Sequence, residues 1–209
     1  MNTVREASDA PDRARPKSIA FDWWDRYCNP SSEKTDPSVR ARLRRARSRL
    51  DVIQIVPAVT LARRLGATDN SVSSWKLNAS LDLARVLAHV KANDSQHPMR
   101  AAGWKNFPGD RKENEVGVGE ERPRLSEARF KRLLETGDGE EKIAAFTRLI
   151  ALLGGTANVE RLAKDFLMWN HPESGDRIRE RWAFEYLAAG KAAPPEPSFD
   201  TLESEDDGV

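Results

Sequence analysis

The chain has 209 residues, of which 39% are hydrophobic and 32% are charged, and its formal net charge is +1 at pH 7. This length suffices for one domain, or two small ones, with a sizeable core. The single cysteine, Cys28, excludes an intrachain disulfide and a multi-cysteine zinc site, and it favours a reducing compartment. With no apolar run of membrane-spanning length and no secretory h-region in residues 1–17, we expect a cytoplasmic protein without a membrane partner.

The charge is distributed unevenly along the chain. Residues 190–209 carry six carboxylates and one lysine, a net charge of −5, so residues 1–189 carry +6. A basic body followed by an acidic tail indicates a polyanionic partner.

The N-terminal part begins with a polar segment and a short aromatic helix. Residues 1–18 contain two prolines and few apolar side chains, which predicts a disordered lead-in. The helix that follows stops at Pro30. Its adjacent Trp23 and Trp24 are candidates for stacking on bases. Core packing is the favoured interpretation, because burying such a ring contributes more than most contacts.

Residues 37–50 contain six arginines within ten positions and no carboxylate. We predict one helix, with Asp36 as its N-cap, Pro37 in its first turn and an apolar stripe that ends at Leu50. Like charges four residues apart each destabilise a helix by roughly 0.2–0.5 kcal/mol, so negative charge from elsewhere is needed. Three alternatives remain open for compensating the arginines: acidic side chains of the fold, solvent, and phosphate. Phosphate is one of them because guanidinium groups match phosphate oxygens well.

Two more helices are expected before residue 93, one led by Pro57 and ended by Gly66, and one over residues 75–91. Residues 19–93 then form an N-terminal helical half. Residues 94–124 are rich in glycine and proline, and they predict a long loop that is either functional or disordered.

Residues 125–189 predict a C-terminal helical half of four helices, the first capped by Ser126. The second starts at an Asp138–Glu141 capping pair, is the most apolar element, and is therefore expected to be central. The proline-rich, acidic residues 190–209 predict a disordered tail. In total we predict an all-α bundle of about eight helices, in two halves joined by the long loop, with disordered termini and no convincing strand.

The chain shows no pattern that is typical of catalysis. Its three histidines are scattered, without the spacing of a metal site. Its adjacent carboxylates fall at a helix start and in the tail rather than as a positioned acid–base pair. We therefore expect no enzymatic activity, no metal and no cofactor.

Several segments, in this order, are similar to one known family. They are Trp23-Trp24, the Arg-Ala-x-Leu-Arg-Arg-Ala run at 40–46, the apolar segment 53–58 that ends in Pro-Ala, and residues 125–134, 167–169 and 181–186. Together, over roughly residues 21–187, they resemble the CasB family, the small subunit of the type I-E CRISPR Cascade surveillance complex.

The resemblance implies an all-α protein without catalytic activity. It implies two copies of the chain beside the other Cascade subunits that hold the CRISPR RNA. It further implies a basic surface that helps to hold the target strand and the displaced strand of the target DNA, and so stabilises the R-loop. Such binding needs phosphate contacts without base readout.

The resemblance also implies candidate nucleic-acid-binding residues. The matching bases are Arg44, Arg45, Arg129 and Arg148. Lys131 and Arg132 are added because they lie close to Arg129 in the sequence. Arg42 and Arg49 are added from the arginine run. For Arg42 and Arg49 the alternative is pairing with acids of this chain or of neighbouring subunits. Two other functions stay open: an independent helical DNA-binding regulator, and a protein-interaction module whose arginines meet acidic partners.

Overall fold

The computed structural model describes residues 18–33, 35–67, 74–103, 122–169, 171 and 173–188. Within these ranges the chain forms ten α-helices and two two-residue strands, which confirms the predicted all-α class. The predicted lead-in up to residue 17, residues 104–121 of the predicted loop, and the predicted tail lie outside the described residues. Among the helices that are described, none is both long and apolar enough for a membrane span.

The helices and strands are numbered in chain order. The helices are α1 (Ile19–Tyr27), α2 (Pro37–Arg45), α3 (Arg49–Ile53), α4 (Val56–Arg64), α5 (Ser74–Leu87), α6 (Pro98–Ala102), α7 (Glu127–Leu134), α8 (Glu140–Leu152), α9 (Val159–Met168) and α10 (Gly175–Leu187). The strands β1 (Ala92–Asn93) and β2 (Thr156–Ala157) pair in parallel, with Ala92 opposite Thr156. Helix α6 lies where the sequence predicts only loop, because Pro98 occupies its first turn and His97 caps it.

The arginine-rich segment forms two helices, so the predicted single helix over residues 37–50 is wrong. Asp36 caps α2 as predicted, but α2 ends at Arg45. Ser48 then starts α3 through a capping box, in which its hydroxyl accepts from the Asp51 N–H and the Asp51 carboxylate accepts from the Ser48 N–H. As a result, Leu50 leaves the predicted buried stripe and is 72% exposed.

Helix α5, rather than the predicted α8, is the central element. It packs against α2, α3 and α4 from one side of the predicted loop and against α8 and α9 from the other. Residues 79–88 are all buried. Three of them, Ser80, Asp82 and Arg85, are polar. Polar residues are typical of an exposed helix face, so the sequence of α5 resembles that of a surface helix although the helix is buried.

The buried hydrophobic residues form one cluster with members from both predicted halves. Trp23 and Trp24 are 1% and 2% exposed, and their indole N–H groups donate to the carbonyls of Pro57 (2.7 Å) and Val90 (3.2 Å). This confirms the core-packing interpretation of the tryptophan pair, since a buried ring whose N–H is already bonded has no face free for a base.

A buried carboxylate on α9 joins α6 and α10. Asp165 accepts hydrogen bonds from Trp182 Nε1 (2.6 Å) and from the Arg181 guanidinium. His97 Nδ1 accepts the Met99 N–H, so its Nε2 carries the proton and lies 3.3 Å from Asp165 Oδ2. A single side chain thereby pairs with two donors from α10 and with the imidazole that caps α6.

Gly103, directly after α6, fits closely against the backbone of α10. A Cβ atom at Gly103 would overlap the Tyr186 carbonyl, whereas a Cβ at Gly137 would meet only Glu141 Oε2, at 3.6 Å. We expect Gly103→Ala to lower the free energy of unfolding by about 1–3 kcal/mol, because α6 and α10 must separate. Gly137→Ala, the matched control, should leave it unchanged or raise it slightly. Urea denaturation measures both, and equal stability of the two variants would contradict this packing.

Candidate nucleic-acid interface

Two arginines of α2 are bound to helix ends within the fold. Arg40 Nε donates to the carbonyl of Ala88, just after α5, at 3.0 Å. Arg42 Nη2 donates to the carbonyl of Gln54, which follows α3, at 3.1 Å. These carbonyls have no partner inside their own helices and lie at the negative end of the helix dipole. The charge repulsion within α2 is thus offset partly by helix C-termini, a source that the sequence does not reveal.

Arg49 is part of an ion pair with a buried carboxylate. Its Nη2 lies 2.6 Å from Asp82 Oδ2, and its Nε lies 3.1 Å from Asp82 Oδ1. The Asp82 side chain is 1% exposed, and this hydrogen bonding raises the pKa of Arg49. The acidic partner that the sequence leaves open for this arginine is therefore Asp82 of α5, and the charge of Arg49 is compensated inside the protein.

The ionic contacts continue from α5 to α8. Arg85 makes a bidentate pair with Glu140, and its Nη2 lies 3.0 Å from Oε2. Lys142, whose side chain is 1% exposed, lies 3.1 Å from Asp138 and 4.3 Å from the centre of the Phe166 ring. Burial lowers the pKa of Lys142, and Asp138 opposes that shift.

Asp138 therefore does not form the predicted capping pair with Glu141. Gly139 is the N-cap of α8, without a side-chain hydrogen bond, and the Asp138 carboxylate binds Lys142 instead. The sequence does not predict the roles of four charged residues in these contacts, namely Asp82, Arg85, Asp138 and Lys142. The only sequence signal of these contacts is a set of charges on otherwise apolar helices.

Arg44 and Arg45 have a different environment from the other arginines of α2. Both are exposed, and neither makes a hydrogen bond or ion pair with any residue that the structure describes. Adjacent helical residues point about 100° apart, so the two guanidinium groups diverge from the face opposite the buried Val39 and Leu43. Their positive charge is available to a partner outside the chain.

The remaining predicted bases lie on α7 and α8. Arg129, Lys131 and Arg132 are exposed on α7, and Arg148 is exposed on α8. Lys131 Nζ is 3.9 Å from Glu135, but both side chains are largely in solvent, where such a pair contributes little. Helix α8 packs against both α5 and α7, and α2 packs against α5. One scaffold thus carries two groups of bases, one on α2 and one on α7 and α8.

His89, directly after α5, lies in the electric field of three arginines. Its half-buried imidazole lies near Arg44, Arg40 and Arg85. Burial first, and then the field of these three guanidinium groups, lowers the pKa of His89 to about 4. At neutral pH the imidazole is therefore uncharged. In the described part of the chain, no three histidine, cysteine or acidic side chains lie close enough together to hold a metal ion.

The contrast between Arg49 and Arg45 gives a stability prediction. Arg49→Gln leaves the buried Asp82 without its cation and should lower the free energy of unfolding by about 2 kcal/mol, less than for a fully buried pair because 35% of the Arg49 side chain is exposed. Arg45→Gln removes an exposed side chain without a described partner and should change it by less than about 0.5 kcal/mol. Urea denaturation at pH 7 measures both, and a neutral Arg49→Gln would contradict the structural role of this pair.

His89 predicts a pH dependence of stability. The unfolded chain binds a proton at His89 near pH 6.5, whereas the folded chain does so only near pH 4. The free energy of unfolding should therefore fall as the pH is lowered from 6.5 to 4, by about 1 kcal/mol after allowance for the partial exposure of the ring. His89→Gln should remove that part of the pH dependence. A proton NMR titration of His89 with a midpoint near 6.5 would contradict this environment.

Comparison with known families adds the context for these surfaces. The family model described as CRISPR-associated protein Cse2 matches residues 39–187, which is well over half of the chain. No curated protein and no solved structure matches it. The matched range includes every arginine, lysine and histidine of these surfaces, from Arg40 to Arg148. The chain therefore belongs to the CRISPR-associated Cse2 family, also called CasB, the small subunit of the type I-E Cascade complex.

Proposed function

We propose that this chain is a non-catalytic, cytoplasmic Cascade subunit that binds nucleic acid without sequence preference and stabilises the R-loop of target DNA. Its partners would be the other Cascade subunits, a second copy of itself, the CRISPR RNA, and the target and displaced DNA strands. The observation that carries the proposal is the pair Arg44 and Arg45, exposed and without a described partner in a chain of the Cascade small-subunit family.

The energetics of an R-loop make such a surface useful. Opening the DNA duplex and forming the RNA–DNA duplex nearly balance, so a modest number of contacts to phosphates tips the exchange. Each phosphate neutralised by an arginine or lysine releases counterions, whatever the base sequence. Exposed bases on a rigid helical scaffold meet this requirement.

The proposed contact residues fall into two groups on that scaffold. Arg44 and Arg45 of α2 form one, joined by Arg42, which is exposed although one of its nitrogens binds Gln54. The second group consists of exposed bases on α7 and α8, namely Arg129, Lys131, Arg132 and Arg148. Arg49 is left out of the proposed contacts, because Asp82 already compensates its charge. We propose that it positions α3 instead.

The test is R-loop formation by Cascade assembled with a variant small subunit. Arg44→Glu combined with Arg45→Glu should weaken target-DNA binding at least tenfold at physiological salt, because two phosphate contacts become repulsions. A gel-shift titration with a negatively supercoiled target measures it. Circular dichroism and the amount of subunit in the purified complex establish that folding and assembly are unchanged.

The matched control is Arg177→Glu. Arg177 is exposed in the first turn of α10, where a carboxylate is favourable, and it makes no ion pair with a described residue. This variant reverses one exposed charge on a helix that carries none of the proposed contact residues, and it should leave target binding unchanged. Unaltered R-loop formation by the α2 double variant, at normal assembly, would refute the proposed site.

A further inference from the structure

The last described helix ends beside α7. The Tyr186 ring stacks on the Phe130 ring of α7, with 4.0 Å between their centres and 9° between their planes. The Tyr186 hydroxyl donates to the carbonyl of Leu125, two residues before α7 starts, at 2.7 Å. Ala188 follows as the C-cap of α10. The described chain therefore ends next to α7.

The surface at that place is basic. Five exposed bases lie on α7 and directly before it, and we call them the α7 cluster: Arg122, Arg124, Arg129, Lys131 and Arg132. Only two carboxylates accompany them between residues 122 and 135, so the segment carries a net charge of +3. Lys131 has an exposed partner in Glu135. The four arginines pair with no carboxylate of the described residues.

The segment that follows α10 has the opposite charge and some apolar side chains. Residues 196–207 contain six carboxylates and no base, interrupted by Phe199 and Leu202. The C-terminal turn of α10 exposes two apolar side chains, Phe184 at 72% and Leu187 at 42%. The sequence of residues 196–207 thus complements the surface at the end of α10 in both charge and apolar character. The family match stops at residue 187, so this segment lies outside the part of the chain that identifies the family.

We propose that residues 196–207 bind the α7 cluster of their own chain and compete there with nucleic acid. The competition rests on the proposed function, whereas the binding of the tail does not. Carboxylates and phosphates are both oxygen anions that pair with guanidinium groups, so one occupant excludes the other. As a consequence, nucleic acid must displace the tail from the α7 cluster, which weakens its binding there.

The length of the segment allows this contact. Seven residues separate Ala188 from the first tail carboxylate, Glu196, and an extended chain covers about 3.3 Å per residue. The carboxylates thus begin within about 25 Å of the end of α10. Short tethers give effective concentrations in the millimolar range, so a tail that binds with a dissociation constant of about 0.1 mM occupies its site roughly nine-tenths of the time.

The first experiment compares the full chain with a variant of the same length whose tail is neutral. The variant carries the substitutions Glu196→Gln, Asp200→Asn, Glu203→Gln, Glu205→Gln, Asp206→Asn and Asp207→Asn. A fluorescent single-stranded oligonucleotide of random sequence should bind the neutral-tail variant roughly tenfold more tightly at low salt. The gain should shrink as salt screens the tail. It should also vanish when Arg129→Glu and Arg132→Glu are added to both proteins.

The second experiment uses no nucleic acid, so its outcome is independent of the proposed function. A peptide of residues 194–209 is titrated into the neutral-tail variant. We expect salt-sensitive binding that is lost when Arg129→Glu and Arg132→Glu are present. Binding of the peptide to a chain that binds no oligonucleotide would overturn the proposed function and leave the tail contact standing.

Three results would overturn the inference itself. The first is equal oligonucleotide affinity of the full chain and the neutral-tail variant. The second is peptide binding that the α7 substitutions do not weaken, which would place the tail elsewhere. The third is an effect of tail neutralisation that grows with protein concentration, because the tail would then bind a second copy rather than its own chain.

Discussion

The ion pair between Arg49 and the buried Asp82 carboxylate constrains how the arginine segment packs on the central helix. Asp82 lies on the central helix α5 with a side chain that is 1% exposed, and a carboxylate at that depth requires a cation. Arg49 supplies it from the first turn of α3, only four residues after α2 ends. This fixes α3 on α5 and obliges the chain to turn between α2 and α3. The same side of α5 carries Arg85, which binds Glu140 of α8.

This arrangement resolves the repulsion that six arginines in ten positions would otherwise create. Arg40 and Arg42 meet carbonyls that follow α5 and α3, and Arg49 meets Asp82. Three of the six positive charges are therefore paired within the fold, two with carbonyls at helix ends and one with a buried carboxylate. The other three, Arg44, Arg45 and Arg47, are left at the surface. Some arginines of this segment thus stabilise the fold, and the others keep an exposed positive charge.

Local signals in the sequence were sufficient for much of the fold. Asp36 and Pro37 predict the start of α2, and the adjacent tryptophans predict a buried pair, because capping and ring burial depend on residue type alone. The Ser48–Asp51 capping box is equally local, but the arginine pattern around it favours one continuous helix. Helix α5 is harder to recognise as central, since its buried charges are matched by residues 33 and 55 positions away. The separation of Arg49 from Arg44 and Arg45 depends on those long-range pairs, so the sequence leaves pairing with an acid open for Arg49 without identifying Asp82 as the partner.

One arginine segment is thus divided into residues that hold the fold and residues that we propose to bind phosphate. The most direct measurement is the salt dependence of single-stranded DNA binding by the isolated chain and two variants. In a plot of log affinity against log salt, Arg44→Gln combined with Arg45→Gln should reduce the slope by about 1.4, which corresponds to two lost phosphate contacts. Arg49→Gln, measured at a temperature where it is fully folded, should leave the slope unchanged. A slope that falls for Arg49→Gln, or that stays constant for the double variant, would contradict the account.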